Sequence, residues 1–410
     1  MALTFHHKKL ANGLDVVAEA NPDAHSVALG LFVKTGARDE QPEVCGVSHF
    51  LEHMMFKGSQ RYTWEDVNRI FDEIGAQYNA DTSQEMTAYY ASVLPEFTER
   101  TIEHLAHLLR PALRDSDFTA EKNVILEEIA MYLDDPGHRL YEKLMELHFG
   151  YHPMALSVLG STQSIKALKR EQMEQYFRQR YGPGNMVLVA SGRLDFERIV
   201  ALAEKYMGDW PRVSVKRQQP QPLYKPHREL MIDPKLNRQY TMDMMPGPSA
   251  QDERRFAAQV LADVIGDAEG SRLYWALVDN AIAEEADFGF YPHDGCGSFY
   301  LALTTDPERT DEALEIALGE LQKVKQDLGA EEIERAKNKI ATSLVLSGEI
   351  PAGRMRAIGS QWIYNEQYRS LDDDMASLME VSRDSLLQLM HDFPFGPMSI
   401  ITLGPGKTPQ

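Results

Sequence analysis

The chain has 410 residues, of which 43% are hydrophobic and 25% charged, as in folded globular proteins. Its 62 acidic residues against 42 basic ones give a formal net charge of −20, which disfavours nucleic acids and anionic membranes as ligands. The acidic excess would suit a protein that collects basic, extended peptides, or it serves solubility alone. Only two cysteines, Cys45 and Cys296, are present, so a disulfide framework is not expected.

The N-terminus has no apolar signal core or transit peptide, and no later run of apolar residues is long enough to span a membrane. We therefore expect a cytoplasmic protein, or a mature one if it was processed.

Strand and helix patterns alternate along the first half of the chain. Short apolar runs predict strands, and amphipathic periodicity predicts helices. The predicted strands cover 26–33, 87–94 and 186–190, and the predicted helices 64–74 and 96–109. Strands that alternate with long helices indicate an α+β fold, in which antiparallel or mixed sheets are layered with helices.

The second half resembles a degenerate copy of the first, displaced by 212 residues. At this displacement Gly184, Met186 and Gly192 fall on Gly396, Met398 and Gly404, and Gly58-Ser59 falls on Gly270-Ser271. Accidental alignment of glycines is the alternative. We predict an N-terminal domain over 1–212, a polar, proline-bearing linker over 213–227 and a homologous C-terminal domain over 228–410.

The motif His49-Phe-Leu-Glu-His53 carries the most chemical information. On a helix, His49 and His53 lie on one face and can hold one cation, while Glu52 reaches a water bound to it. This H-x-x-E-H order is the inverted zincin motif. Apolar neighbours on nearly every side predict that the helix is buried, so its charged groups need a compensating cation.

A catalytic zinc ion usually has three protein ligands, so a further carboxylate is required. Residues 119–132 predict a helix N-capped by Thr119 that offers Glu121, Glu127 and Glu128. Glu128 has apolar neighbours one turn away on both sides and is the predicted third ligand, whereas Glu127 can face water. Glu121, two turns earlier, is placed to hydrogen-bond a ligand histidine.

The copy in the second half has no metal site. At the displacement of 212 residues, His49, Glu52 and His53 fall on Leu261, Val264 and Ile265. Only the N-terminal half can hold zinc, so we expect one Zn²⁺ per chain.

These residues resemble the inverzincin metallopeptidases, the family of pitrilysin, insulin-degrading enzyme and mitochondrial processing peptidase, and within it the short bacterial members. The run Gly46–Gly58 is similar to the family's zinc helix, and Glu121 with Glu128 is similar to its distal glutamate pair. Weaker similarity covers 75–80, 87–90, 159–161 and 181–192, so the resemblance spans nearly the whole chain.

The resemblance implies a zinc endopeptidase that hydrolyses short or unfolded peptides in a closed chamber between two clamshell halves. Glu52 would take the proton of the attacking zinc-bound water and pass it to the leaving amine. An inner edge strand over 78–87, with Asn79 and Ala80, would bind the substrate as an added strand.

One departure from the family concerns an Arg and a Tyr that follow a Ser-Arg-Leu run and bind the substrate. Val278 and Glu285 stand at those positions here. A homologous partner subunit could supply both groups in a heterodimer, failing which a homodimer is expected. Alternatively, Arg272, Tyr274 or Tyr291 acts from a shifted position. The competing hypothesis for the whole chain is a non-catalytic structural subunit of a larger complex.

Overall fold

A computed structural model describes residues 3–396 and 398–406. The chain divides into two compact units. Unit 1 comprises residues up to Ala130, Leu156–Gln218 and Val345–Arg369, and unit 2 comprises Met131–Ala155, Gln219–Leu344 and the residues from Ser370 onward. Each unit contains one mixed β-sheet covered by helices.

The sheet of unit 1 has six strands in the order β1-β2-β6-β3-β5-β4. Strands β2 and β6 are parallel, and the other neighbours are antiparallel. The strands are β1 (Thr4–Lys9), β2 (Asp15–Ala20), β3 (Val27–Val33), β4 (Gln77–Thr82), β5 (Thr87–Val93) and β6 (Met186–Gly192). Strand β3 is buried along its whole length, and β4 forms one edge of the sheet.

The helices of the first half are α1 (Val47–Met55), α2 (Trp64–Glu73), α3 (Thr98–Leu108), α4 (Asp115–Leu133), α5 (Pro136–Phe149), α6 (Thr162–Ala167), α7 (Arg170–Arg180) and α8 (Phe196–Met207). Among them, α2 and α3 match the amphipathic segments predicted at 64–74 and 96–109. Residues 211–226, which include most of the predicted linker, contain no helix or strand.

Unit 2 contains a five-stranded sheet in the order β7-β11-β8-β10-β9. Its strands are β7 (His227–Ile232), β8 (Gln239–Gly247), β9 (Glu285–His293), β10 (Cys296–Thr305) and β11 (Ser399–Gly404). The helices of the second half are α9 (Arg255–Gly266), α10 (Thr310–Asp327), α11 (Ala330–Gly348), α12 (Pro351–Asn365), α13 (Leu371–Met379) and α14 (Arg383–Asp392).

The two sheets share one topology. The order β2-β6-β3-β5-β4 recurs as β7-β11-β8-β10-β9, with the same single parallel pair in each sheet. Strands β2 and β7 begin at residues 15 and 227, and β3 and β8 at 27 and 239, so both pairs keep the predicted displacement of 212. The predicted fold class, two homologous domains of mixed sheet and helices, is confirmed.

Each sheet is covered by a helix from the other half of the sequence. Helix α5 packs on β8 and β11 in unit 2, and α12 packs on β3 and β6 in unit 1. The compact units therefore differ from the predicted domains at 131–155 and 345–369. Both helices begin with proline in the first turn, where its missing N–H costs no hydrogen bond.

A buried ion pair attaches α12 to the sheet of unit 1. The Arg354 guanidinium donates two hydrogen bonds to the Glu19 carboxylate of β2, Nε to Oε1 at 2.9 Å and Nη2 to Oε2 at 2.6 Å. The Tyr368 hydroxyl donates a third, at 2.6 Å. Both charged side chains are at most 5% exposed, so neither tolerates loss of the other.

A second buried carboxylate holds the N-terminus of α1. The Glu40 side chain accepts hydrogen bonds from the backbone N–H of Gly46 at 2.6 Å and of Ser48 at 2.7 Å. Gly46 has a φ of 91°, and a Cβ there would lie 2.6 Å from the Leu159 carbonyl oxygen, so only glycine fits. These contacts fix where α1 begins and in which direction it runs.

We expect Arg354→Met to lower the free energy of unfolding of unit 1 by about 3–5 kcal/mol, because it leaves the Glu19 carboxylate buried without a cation. The double variant Glu19→Leu/Arg354→Met should cost less than this single one. Arg356→Met, on the exposed side of the same helix, is the control and should cost about 1 kcal/mol or less, because the ion pair of Arg356 is half-exposed. Urea denaturation followed by tryptophan fluorescence measures the free energy of unfolding of each variant. Equal losses for Arg354→Met and Arg356→Met would contradict the role of the buried ion pair.

Glu40 predicts a pH dependence of stability. Burial raises the pKa of Glu40 to about 8, although hydrogen bonds from Ser48 and Gly46 oppose the shift. A carboxyl whose pKa is raised by folding binds its proton more tightly in the folded state, so its stabilising contribution is full at low pH. That contribution is lost as the pH rises from the ordinary glutamate range towards 8.

Glu40→Gln cannot titrate, so wild-type stability should fall relative to this variant between about pH 4.5 and pH 8, on the order of a few kcal/mol. Urea denaturation of both proteins at several pH values measures the difference. A difference that stays constant over this range would show that Glu40 does not titrate there.

Candidate metal centre

Helix α1 places the three residues of the H-x-x-E-H motif on one side. Most of the helix is buried, including Phe50, Leu51, Met54 and Met55 in the core of unit 1. The His49 side chain is 11% exposed and that of His53 is 24% exposed, so both imidazoles lie at the margin of the core, where an ion could reach them.

Helix α4 supplies the carboxylates, but its start differs from the prediction. The helix begins at Asp115, and Thr119 lies inside it, with its hydroxyl donating to the Asp115 carbonyl at 2.8 Å. The predicted N-cap at Thr119 is therefore wrong, because a mid-helix threonine can bond the preceding turn instead. Among the apolar neighbours of Glu128, Val124 and Met131 are exposed and Ile125 is buried, and the Glu128 side chain itself is 22% exposed.

His49, His53 and Glu128 converge across the two helices. One potential ligand atom from each lies within 4.8 Å of the others. The Nε2 atom of His49 is 3.7 Å from Glu128 Oε1, and that of His53 is 3.5 Å from Glu128 Oε2. Two imidazole nitrogens and one carboxylate oxygen are the donor set of hydrolytic zinc sites, and three ligands leave a coordination position open. These residues could hold a divalent metal ion.

Glu121 orients one imidazole of the cluster. It is 2.9 Å from the Nδ1 atom of His53 and also forms an ion pair with Lys57. An N–H of His53 bonded to Glu121 leaves the lone pair of Nε2 directed at the cluster. Glu127, the alternative carboxylate, is exposed and outside the cluster.

The surroundings give the two imidazoles different proton affinities. Burial, with help from the charge of His53, lowers the pKa of His49 to about 4, so His49 is neutral at pH 7. Burial also acts to lower the pKa of His53, but the hydrogen bond that His53 donates to Glu121 and the charges of Glu128 and Glu121 outweigh it and raise that pKa. Negative charge next to His53 therefore favours a cation at this position.

Glu52 lies on the same side of α1 and is held by the neighbouring edge strand. The Thr82 hydroxyl of β4 donates a hydrogen bond of 2.6 Å to Glu52 Oε2. Burial raises the pKa of Glu52, and the bond from Thr82 opposes the shift only partly. Thr82 was not among the predicted site residues, although the alternation of a strand places it on the face of Tyr78 and Ala80.

Strand β4 has a free outer side where Asn79 and Ala80 were predicted to bind substrate. The backbone N–H of Ala80 donates to the Asn79 side-chain oxygen at 2.9 Å, so it points away from β5. In an antiparallel pair, backbone groups alternate between the partner strand and the outside, so Tyr78 and Thr82 also direct theirs outward. This edge can pair with another extended chain.

In unit 2 the corresponding positions are apolar. Leu261, Val264 and Ile265 of α9 are at most 3% exposed. The residues 212 positions after Glu121 and Glu128 are Ile333, which is 4% exposed, and Ile340, which packs against the same core. In this unit the residues of α9 and α11 at these positions belong to one apolar core.

The positions at which the family resemblance leads us to expect an Arg and a Tyr contain other residues. Val278 packs against the core of unit 2, and Glu285 is exposed at the start of β9. Arg272 is engaged with Glu332 at 2.5 Å and with Asp327 at 2.6 Å.

Tyr274 and Tyr291 are the other two residues that could replace the expected Arg and Tyr from a shifted position. Tyr291 stacks on Tyr300 with 4.5 Å between ring centroids, and Tyr274 lies edge-on to Trp275.

No helix in residues 3–396 and 398–406 is both long and apolar enough to cross a membrane. No disulfide joins Cys45 and Cys296.

Sequence comparison relates both halves of the chain to one family. Residues 15–162 match the model described as insulinase (peptidase family M16), and residues 167–340 match that described as peptidase M16 inactive domain. An uncharacterized zinc protease of Mycobacterium bovis is 30% identical over 93% of this chain and 89% of its own length. One of Streptomyces coelicolor is 28% identical over 99% of this chain and 91% of its own length.

Solved structures of the same fold cover the whole chain. A protease from Helicobacter pylori has a TM-score of 0.90 at 19% identity, covering 98% of this chain and 100% of its own. A peptidase M16 inactive domain from Pseudomonas fluorescens has a TM-score of 0.92 at 20% identity, covering 100% and 99%. A chain of complex III2 from Candida albicans has a TM-score of 0.86 at 18% identity, covering 98% and 96%. From its sequence relatives, this chain belongs to the M16 peptidase family.

Proposed function

We propose that the chain is a zinc-dependent endopeptidase that hydrolyses short or unfolded peptides, as relatives named zinc proteases suggest. The observation that carries the proposal is the convergence of His49, His53 and Glu128 within 4.8 Å, with Glu52 beside them. In this proposal one Zn²⁺ binds to the two imidazoles and the Glu128 carboxylate, and Glu121 orients His53.

Zinc bound at this cluster would lower the pKa of a coordinated water and polarise the substrate carbonyl. The Glu52 carboxylate then accepts the proton of the attacking water and, once protonated, donates it to the leaving amine nitrogen. Its raised pKa brings the carboxyl closer to neutral pH, which favours both proton transfers. The hydrogen bond from Thr82 keeps the carboxylate next to the edge strand.

The free side of β4 is the proposed site for the peptide backbone. Ala80 would exchange its local bond to the Asn79 side chain for one to a substrate carbonyl, and the substrate would extend the sheet as an added strand. Backbone pairing of this kind accepts many sequences but requires an extended, unfolded segment. We also propose that cleavage takes place in a closed chamber, which would admit short or unfolded peptides and exclude folded proteins.

A homologous partner subunit is the proposed source of the Arg and Tyr that this chain lacks. Val278 is apolar, and Arg272, the arginine of the Ser-Arg-Leu run, already binds two carboxylates. Without donors for the oxyanion, an isolated chain would lose a contribution of about 3–4 kcal/mol to catalysis. A heterodimer would restore it, and a homodimer is the alternative. Strong peptidase activity of the purified chain alone would contradict the need for a partner.

A non-catalytic role is the second candidate, because one family model and one structural neighbour are described as inactive domains. A structural subunit has no need to keep two imidazoles and a carboxylate converged on one point. In the second half, the same positions have become apolar. The polar cluster of the first half therefore favours the peptidase.

The proposed ligand set predicts a graded loss of zinc affinity. Glu128→Gln should lower the affinity by more than about 100-fold, and Glu121→Gln, which acts through His53, by about 10–100-fold. Glu127→Gln is the matched control on the same helix and should leave the affinity unchanged. Competition with a chromogenic chelator measures all three, and equal affinities for the Glu127 and Glu128 variants would exclude Glu128 as a ligand.

Glu52→Gln should keep its zinc and lose turnover by at least about 100-fold, because the amide cannot accept a proton. Zinc content by plasma emission and cleavage of a quenched fluorescent peptide measure the two effects, with the partner subunit added if the chain requires one. Turnover at the wild-type rate by the metal-replete variant would refute the assigned role of Glu52.

A further inference from the structure

A charged pair lies on the face of β4 opposite to Glu52. The Asp81 carboxylate is 3.4 Å from the Arg356 guanidinium of α12, and both side chains are about half exposed, at 47% and 52%. Side chains alternate across a strand, so Thr82, which bonds Glu52, and Asp81 point to opposite faces. The pair is thus one residue from the proposed reaction site but on the other side of the sheet.

Arg356 is held in place by a tyrosine as well as by Asp81. Helix α12 packs on β3 and β6, and from there the Arg356 side chain extends over the ring of Tyr90, with its guanidinium carbon 4.3 Å from the ring centroid. It also donates a hydrogen bond to the Tyr90 hydroxyl. Removal of the Asp81 charge therefore leaves the guanidinium with two contacts at the same position.

A peptide paired with β4 would direct alternate side chains to these two faces. The substrate residue opposite Asp81 has its Cβ about 4.5–5.5 Å from that of Asp81 and shares its face of the sheet. This residue is the immediate neighbour of the one opposite Thr82, next to Glu52. A side chain in direct reach of Asp81 and Arg356 therefore flanks the substrate residue at the proposed metal centre.

We propose that Asp81 and Arg356 together form a subsite that sets the charge preference for this flanking substrate side chain. The inference rests on the proposed peptidase function and deepens it. The single charge of Asp81 on this edge would by itself select lysine or arginine. Arg356 neutralises it, so that the intact subsite accepts side chains of either sign.

The ion pair between Asp81 and Arg356 is weak enough for a substrate side chain to displace one of its partners. A half-exposed ion pair contributes only about 0.2–1 kcal/mol, so a charged substrate side chain can replace either partner. In Arg356→Ala the Asp81 carboxylate keeps its hydrogen bond with the neutral Tyr90 hydroxyl and can pair with a basic side chain, whereas in Asp81→Asn the guanidinium on Tyr90 can pair with an acidic one. The two substitutions should therefore shift the preference in opposite directions.

Binding to zinc-loaded Glu52→Gln protein tests this without turnover. Fluorescent peptides that carry one Lys or one Glu at successive positions are titrated by anisotropy, and the ratio of their two Kd values is taken at each position. We expect ratios within about threefold at every position for the parent. At one position, Arg356→Ala should favour Lys about tenfold, Asp81→Asn should favour Glu about tenfold, and the double variant should return to the parent ratio.

Arg198→Ala is the control for a change in overall charge, because Arg198 is a 53% exposed arginine of α8 in an ion pair with Glu99. The subsite is refuted if the Kd ratios of the two single variants equal those of the parent. It is also refuted if the ratios change equally at all positions and in the control. Neither result contradicts peptide binding to β4. If no peptide binds and the wild-type protein takes up no zinc when the ion is supplied in excess, the peptidase proposal fails and the subsite with it.

Discussion

The convergence of ionisable side chains between α1 and α4 is the constraint on which the rest of unit 1 depends. Two imidazoles and a carboxylate lie within 4.8 Å at the margin of an apolar core, and Glu121 and Glu52 bring further acidic groups against them. Such a cluster is costly without a cation, because the carboxylates repel one another and are partly removed from water. The positions of both helices therefore support the proposed metal site.

Several contacts outside the cluster serve to place α1. Glu40 binds the first N–H groups of the helix, and Asp39, next to it, is held by Arg217 from the extended segment between the two halves, at 2.6 Å. The Ser48 hydroxyl is 2.8 Å from that of Tyr176. An enzyme that relies on a metal and a base must hold them to within a fraction of an ångström, and these buried polar contacts supply that rigidity.

Much of this arrangement could be predicted from the sequence, because the signals are local. The spacing of His49, Glu52 and His53 on one helix, and of Glu121 and Glu128 on another, follows directly from helical periodicity. Fold class could be predicted from the alternation of strands and helices and from the repeat at 212 residues. Glu40 and Thr82 could not be found, since their roles depend on where a loop and a strand meet α1.

Sequence patterns also could not predict that α5 packs on the sheet of unit 2 and α12 on the sheet of unit 1. The contact between Glu19 and Arg354 joins residues 335 positions apart, and no periodicity encodes such a pair. The subsite proposed at Asp81 depends on the packing of α12, because it places a helix of the second half beside an edge strand of the first. The second half lacks a metal cluster at the corresponding positions but contributes to the face next to the proposed reaction site.

The most direct test of the account is the zinc content of the purified chain, measured by plasma emission together with peptide cleavage before and after chelation. The account predicts one zinc per chain, loss of that zinc together with any cleavage on chelation, and recovery of both on adding zinc back. Protein that is folded at neutral pH and binds no zinc when the ion is supplied in excess would contradict it.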